Sequence, residues 1–380
     1  MIRGAYGIFF SGQEIRTAAP LQLAYNLPFF YEPLFINGDT PAFTVSQGFP
    51  TLDPSQAVNP GVTSVDSRLR TPYYQSWNLA VQHSLPGSIS LEVAYAGSKG
   101  THLQGVTDPN QIQEPGPGDV QPRRPLPQFG GFTAITNIAN SNYHSLQVKA
   151  EKHASHGLYF LSSFTYSKAI NDLPEICCAA PFAQNSYNLA AERGRADFDQ
   201  TLRWVLSFDY EIPFGGSHSH SSNRVLDAVL GGWHVGGIYT LASGFPFSAY
   251  QNDDSSNTGT QGIPRPDQLR DGNLSRGQRT PAHWFDTSAF SVLPDDAFAF
   301  GNAGRNTLVG PGQNVFDWSL RKEFAITETQ RIEFRAELFN ALNHPNFSQP
   351  DNFIDDDTAG VIQSLAIPMR QIQFGLKYRF

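Results

Sequence analysis

Hydrophobic and polar residues alternate with a period of two along several stretches of this sequence. The clearest stretch starts at Thr201, where every second residue is apolar: Leu202, Trp204, Leu206, Phe208, Tyr210 and Ile212. Similar alternation runs through residues 330–338 and 371–380. Alternate side chains of a β-strand point to opposite faces. The sequence therefore predicts strands that have one apolar and one polar or charged face.

Weaker alternation predicts further strands, which bring the total to about ten. They lie at residues 2–10, 74–84, 88–98, 143–153, 158–168, 232–243 and 314–324. These strands are about nine to thirteen residues long, whereas the usual globular strand has ~5–6 residues and a tilted membrane-spanning strand ~9–11. Strand length thus favours a membrane protein.

The predicted connections alternate between short and long. Short connections occur near residues 85–87, 155–157 and 325–329, and an intermediate one at 214–231. The long ones span about 11–73, 99–142, 169–200, 244–313 and 341–369, and their Pro-, Gly-, Asn- and Asp-rich composition favours turns and some disorder over packed domains. Transmembrane β-barrels have short periplasmic turns and long extracellular loops. The long connections are therefore expected outside the cell.

The tryptophans fit this arrangement. Trp77, Trp204 and Trp318 are expected near the outer lipid interface, and Trp233 near the periplasmic one, whereas Trp284 falls in a loop. Aromatic girdles occupy both interfaces of membrane barrels. The alternative explanation is that aromatic residues favour strands in general.

The charged faces determine the predicted fold. Arg331, Glu333, Arg335 and Glu337 share one face of a strand, and a charge facing lipid at mid-depth costs ~2–4 kcal/mol. Lipid outside and a wet lumen inside satisfy both faces, and backbone groups in lipid require a closed sheet. We predict an all-β fold, an antiparallel up-and-down transmembrane β-barrel. Because the chain begins inside its first strand, without a signal peptide or plug, we expect it to be the C-terminal part of a larger barrel.

Composition and the lack of catalytic motifs argue against several classes of function. The net charge of -8 and the pI of about 5.7 argue against a nucleic-acid partner. The adjacent Cys177 and Cys178 indicate no disulfide framework, and two ordinary thiols are favoured over a strained disulfide. No nucleophile elbow or phosphate-binding glycine loop is present. We expect no enzymatic activity and no cofactor.

Possible metal ligands occur only in predicted loops. His218 and His220 flank Ser219, but a metal site needs more convergent ligands. The acidic groups lack the spacing of a calcium loop, so solvated loops are favoured over calcium sites. These groups are Asp253-Asp254, Asp295-Asp296 and Asp355-Asp356-Asp357. The sequence does not identify substrate-binding residues.

Four motifs resemble those of the Oar-like TonB-dependent outer-membrane receptors, and together with the last strand the resemblance covers the chain from about residue 70 to residue 380. The motifs are residues 335–347 (RAELFNALNHPNF), 304–312 (GRNTLVGPG) with 317–320 (DWSL), 192–199 (ERGRADFD) with 212–215 (IPFG), and 231–233 (GGW) with 243–247 (SGFPF). The resemblance implies a barrel of about 22 strands with a plugged lumen. It also implies an N-terminal carboxypeptidase-regulatory-like domain, a plug and a TonB-contacting segment, none of which is found in this sequence.

The last strand also resembles that family. It ends on Phe380, and Phe374, Leu376 and Tyr378 keep the alternation, a pattern that the β-barrel assembly machinery reads. An ordinary amphipathic edge strand is the alternative.

These features lead to one main hypothesis and two alternatives. The main hypothesis is a segment of an outer-membrane receptor for energised solute uptake, which contacts outer-membrane lipid and reaches the TonB system only through its missing N-terminal parts. The alternatives are a complete small barrel that acts as a passive porin or adhesion platform, and a soluble extracellular β-rich carbohydrate-binding module. The transported solute is not indicated by the sequence.

Overall fold

The structure is a computed structural model of the 380-residue chain. It describes residues 1–11, 23–30, 46, 48, 53, 57–155, 157–173, 182–213, 229, 231–327 and 329–380. Its named helical elements are the single turn Val120–Arg123 and the 3₁₀ turns Leu189–Glu192 and Thr287–Ala289. In the described part of the chain, no helix has the length and apolar character that membrane crossing requires.

The described residues are predominantly β-structure. The strands are β1 (Ile2–Phe10), β2 (Val62–Val65), β3 (Tyr73–Leu85), β4 (Ile89–Thr107), β5 (Phe132–Ser155), β6 (Leu158–Asn171), β7 (Gly194–Arg195), β8 (Leu202–Glu211), β9 (Trp233–Ala242), β10 (Pro246–Phe247), β11 (Asp267–Gln268), β12 (Phe290–Ser291), β13 (Leu308–Val309), β14 (Gln313–Ala325), β15 (Arg331–Phe339), β16 (Asn346–Phe347), β17 (Leu365–Ile367) and β18 (Gln371–Arg379).

Ten of these strands form one antiparallel sheet, which we call the wall. Its order is β1-β3-β4-β5-β6-β8-β9-β14-β15-β18, so each strand pairs with its neighbours along the chain. The short strands β2 and β7 attach to β5 and β6, and β2 does so in parallel. All the predicted strands are present, and the predicted antiparallel up-and-down fold is confirmed.

Strands β4 and β5 are longer than predicted. Their hairpin continues past Gly100 and begins already at Phe132, within the segment that the sequence assigns to a loop. The pairing shifts register between Gly100 and Leu103 and again between Leu103 and Gly105. Such bulges insert unpaired residues and break the alternation of faces. This part of the hairpin therefore lacks the period-two pattern by which a strand is recognised.

Strand register places the alternating residues on two distinct faces. One row across the wall consists of Phe208, Gly237, Trp318, Leu338 and Ile372. The next row, on the opposite face, consists of Asp209, Gly236, Ser319, Glu337 and Gln373. We call the first face the outer face and the second the inner face.

Among the described residues, no second sheet packs on the outer face of the wall. Phe374 is 72% exposed and Leu376 is 75% exposed. The wall is also open, because β1 and β18 are its two edges and no pairing joins them in the part of the chain that the structure describes.

The buried hydrophobic core lies in the long connections instead. We call the described parts of the β4–β5, β6–β8, β9–β14 and β15–β18 connections the cap. Its main cluster consists of Phe247, Ala249, Phe285, Ala289, Phe290, Ala303 and Leu308. A second cluster, which includes the ends of β5 and β6, contains Ala139, Leu173 and Ala183. The expectation that these connections favour turns and disorder over packing is therefore wrong.

Candidate functional site

The outer face is a continuous aromatic and aliphatic surface. The rings of Trp204 and Phe316 both pack edge-on against Tyr239, with centroids 5.6 and 5.7 Å away. Farther along the wall, the ring of Phe334 contacts those of Trp233 at 6.4 Å and Phe374 at 6.5 Å. A surface of this kind is stable when it faces hydrocarbon and would drive aggregation in water.

The tryptophans lie at the two ends of this surface, as the sequence predicts. Trp77, Trp204 and Trp318 lie in the halves of their strands nearer the cap, and Trp233 begins its strand at the opposite end of the wall. The indole N–H of Trp204 donates to Ser162 Oγ at 2.9 Å. Trp284 belongs to the cap, where its N–H donates to the carbonyl of Val309 at 2.9 Å.

The inner face carries ion pairs that join different strands of the wall. Asp209 accepts a hydrogen bond from Arg321 at 2.8 Å, and the His234 Nδ1 lies 3.6 Å from the same carboxylate. Glu323 pairs with Arg331 at 2.6 Å on the next hairpin. Ion pairs this exposed contribute about 0–1 kcal/mol each. Their main consequence is a polar surface that must face water.

A second group of ion pairs lies near the edge strand β18. Glu333 accepts hydrogen bonds from Arg335 on its own strand and from Arg379 on β18, the latter at 2.8 Å. This charged zone occupies the end of the wall that carries the short turns. The inner face therefore presents both signs of charge at the end opposite the cap.

The cap is held together by a buried ionic network. Arg265 makes two parallel hydrogen bonds to Glu192, at 2.8 and 2.9 Å, and both side chains are at most 5% exposed. Arg305 donates to the carbonyl of Glu192 at 2.8 Å and lies 3.4 Å from Asp197. Burial lowers the pKa of Arg305, while the charges of Asp197 and Glu192 raise it. Removing one partner of such a pair leaves an uncompensated buried charge.

This network joins the motifs on which the family resemblance rests. Asn306 donates to Asp197 at 2.6 Å, so the motif at 304–312 contacts the motif at 192–199. Asp199 accepts from the N–H of Ala169 at 2.7 Å and thereby attaches that motif to β6. Asn346 accepts from the N–H of Asn314 at 2.7 Å and attaches a third motif to β14. The motif residues therefore fasten the cap to the wall.

A cavity of about 280 Å³ opens where the β2 segment passes the extended β4–β5 hairpin. The side chain of Asn137 donates to the carbonyl of His102 at 2.7 Å and accepts from the backbone N–H of Arg70. The cavity's carboxylate, Asp66, already accepts from the backbone N–H of Arg68 at 2.9 Å. Its lining is Asp66, Arg68, Arg70, His102, Thr136, Asn137 and Ile138.

The acidic groups considered from the sequence accept hydrogen bonds from cap residues or face solvent. Asp254 accepts from the backbone N–H groups of Ser256, Thr258 and Gly259 at 3.0–3.1 Å. Asp355 and Asp356 accept from Asn252, at 2.9 and 2.8 Å, and Asp295 and Asp296 are exposed. Among the described residues, no group of three or more His, Cys, Asp or Glu is placed to hold a metal ion.

Two further sets of residues in the connections have different outcomes. Cys177, Cys178, His218 and His220 lie outside the described residues. Arg123 and Arg124, by contrast, are structural. Arg123 donates to the carbonyls of Gly116 at 2.6 Å and Asn257 at 3.0 Å, and Arg124 to that of Asn110 at 2.9 Å. They tie the β4–β5 connection to the β9–β14 connection, a role that no local sequence signal indicates.

Three solved structures with a similar chain are transporters or receptors. The outer membrane transporter YddB from Escherichia coli is 12% identical, with a TM-score of 0.46, and the match covers 86% of this chain and 35% of that chain. The ferric preacinetobactin receptor BauA from Acinetobacter baumannii is 12% identical, with a TM-score of 0.40, and the match covers 82% of this chain and 30% of that chain. The FrpB iron transporter from Neisseria meningitidis is 12% identical, with a TM-score of 0.41, and the match covers 84% of this chain and 33% of that chain. The present chain thus spans about a third of the length of each. Comparison with curated proteins gives no match.

The family comparison covers almost the entire sequence. The model of the outer membrane beta barrel domain matches residues 1–373. The outer and inner faces described above fit that match, because one suits hydrocarbon and the other water. This chain belongs to the outer membrane beta barrel domain family, and its location is the cell outer membrane.

Proposed function

We propose that this chain forms part of the wall and the external cap of an Oar-like, TonB-dependent receptor, which takes up a solute with energy from the inner membrane and performs no covalent chemistry. The main support for the proposal is a folded cap attached to a wall that has one apolar face and one charged face. A passive pore needs only a polar lumen, whereas a receptor needs loops fixed in one arrangement. The buried Glu192–Arg265 pair and the Phe285 cluster supply that rigidity.

The open wall supports a larger barrel. Strand edges within hydrocarbon must be paired because no water is available to bond them. In the proposed receptor, further strands complete the sheet between β18 and β1. Barrels of about 22 strands enclose a plugged lumen. The charged inner face, with its Asp209–Arg321 and Glu333–Arg379 pairs, would then meet the plug and water.

The C-terminal strand supports insertion by the β-barrel assembly machinery. Phe380 is 94% exposed and Tyr378 is 51% exposed, so neither side chain is buried in a hydrophobic core. The cavity at Arg68 and Arg70 is the proposed contact for an acidic group of the solute, because its lining contains two arginines and one carboxylate, Asp66, which lies 3.6 Å from Arg68. Family membership excludes the soluble carbohydrate-binding module.

Ion conductance distinguishes the proposed receptor from a passive porin. The protein purified from outer membranes would be inserted into planar lipid bilayers between potassium chloride solutions. A plugged receptor gives no steady current, and a denaturant that mobilises the plug opens one. A continuous current from the untreated protein would contradict the receptor and favour the passive porin.

A further inference from the structure

Acidic residues are confined to the inner face of the wall. The register of the ten strands places all of their carboxylates there: Glu92, Glu151, Asp209, Glu211, Asp317, Glu323, Glu333 and Glu337. The outer face carries charge of one sign only, from Lys99, Lys152, Lys168 and Lys322. Since hydrocarbon disfavours both signs, this asymmetry calls for a separate explanation.

The two outer-face lysines nearest the short turns are bonded within the protein. The ammonium group of Lys152 donates to the carbonyl of Gly87 at 2.8 Å and to Ser155 Oγ at 2.6 Å. That of Lys322 donates to the carbonyl of Val229 at 2.7 Å and lies 5.0 Å from the centre of the Trp233 ring. Both ammonium groups therefore have hydrogen-bond partners within the protein and need no lipid.

The two lysines nearest the cap are placed differently. Lys99 and Lys168 are exposed, and neither makes an ion pair or side-chain hydrogen bond with any residue that the structure describes. Lys99 is opposite Asn142 and Lys168 is opposite His144, so β5 alone separates them. Their Cα atoms are roughly 10 Å apart across the strands and roughly 7 Å along them. Both long side chains can reach the space above His144.

An aromatic cluster lies directly beside these lysines. The Tyr95 hydroxyl is 2.7 Å from Nδ1 of His144 and also accepts from the Trp77 N–H at 3.4 Å. The rings of Tyr95 and His144 are stacked with centroids 6.2 Å apart. We call Trp77, Tyr95, Lys99, His144 and Lys168 the lysine patch. It combines positive charge with flat apolar surface.

Along the membrane normal, the lysine patch lies at the level of the lipid headgroups. From Lys152 near the short turn, β5 runs roughly 27 Å to His144. At the usual barrel tilt this length covers roughly 20 Å of the membrane normal, close to the ~25 Å apolar band of such barrels. Long connections lie outside the cell in these proteins. The patch therefore meets the outer leaflet.

We infer that the lysine patch binds a phosphate group of an anionic lipid in the outer leaflet. The two ammonium groups surround the phosphate, His144 offers a third polar contact, and the rings of Trp77 and Tyr95 pack on the apolar part of the lipid. The absence of any carboxylate on the outer face of the ten strands leaves nothing there to repel the anion. Lysine binds phosphate as a point charge and needs no fixed fork geometry.

The test measures lipid binding to the protein purified in uncharged detergent. Native mass spectrometry would follow titration with bis-phosphorylated lipid A and, separately, with the same lipid after enzymatic dephosphorylation. Because each lysine near a charged lipid surface contributes roughly 5-fold, Lys99→Gln with Lys168→Gln should weaken binding of the phosphorylated lipid by roughly 25-fold. The dephosphorylated lipid should bind wild type and variant equally.

The matched control removes the same charge from the inner face. Lys149→Gln with Lys377→Gln should leave lipid binding unchanged, and Lys99→Arg with Lys168→Arg should retain it. The unfolding temperature without lipid verifies that each variant is folded. Equal binding by wild type and the Lys99/Lys168 double variant, equal losses in the inner-face control, or no dependence on the phosphates would overturn the inference.

Discussion

Single residues matter most in the cap, where charge is buried. Arg265 and Glu192 lie away from water and satisfy each other with two hydrogen bonds. Arg305 then joins this pair to the end of β6 through the carbonyl of Asn171 at 3.1 Å. Three segments that are distant in sequence therefore meet at one guanidinium–carboxylate pair. Glutamate and arginine are usually exposed, so the sequence does not indicate that Glu192, Arg265 and Arg305 are buried together.

Arg265→Ala is expected to open the cap while leaving the wall intact. Removing one partner of a buried ion pair costs about 3–5 kcal/mol, because Glu192 is left charged and unpaired. Hydrogen exchange of the cap amides measures that loss directly. The control is Arg270→Ala, since Arg270 pairs with Asp286 in a more exposed position and such pairs contribute about 0–1 kcal/mol. Equal effects of both substitutions would refute the assigned role of the buried pair.

At the scale of elements, the sequence predicts the wall far better than the cap. The boundaries of β18 are reproduced to within one residue because its alternation is unbroken, whereas the bulges near Leu103 hide the ends of β4 and β5. The cap depends on contacts such as the 3.0 Å hydrogen bond from Gln111 to Thr258, which join segments far apart in the chain. Local periodicity contains no information on such pairings. Turn-rich composition therefore suggested disorder where a core exists.

Gly244 determines how closely β10 and β13 of the cap approach each other. A Cβ at Gly244 would overlap the carbonyl oxygen of Gly310, where β10 pairs with β13. Gly244→Ala is therefore expected to separate these strands and to lower the thermal stability of the cap, as followed by limited proteolysis over a temperature series. Gly277→Ala is the control, because no atom lies within 4 Å of the added methyl group. Equal protease resistance of both variants would contradict this packing.

At the scale of the whole molecule, the two faces of one wall suit two different environments, lipid and water. The outer face meets lipid and the inner face meets water, whereas the described hydrophobic core clusters belong to the cap and the strand ends beside it. This division explains why many large exposed hydrophobic residues, such as Phe374 and Leu376, lie in regular wall strands. The same alternation made the membrane location predictable. The solute, which depends on the loops, was not predictable because the loop contacts are non-local.

The most direct measurement of this division is the free energy of unfolding in lipid vesicles for two neighbouring substitutions on β18. Phe374→Arg places a charge on the outer face and Gln373→Arg places the same charge on the inner face. Arginine facing the middle of a bilayer costs about 2–4 kcal/mol. We expect that loss for Phe374→Arg and little change for Gln373→Arg. Equal losses, or a larger loss at Gln373, would show that the outer face does not contact lipid.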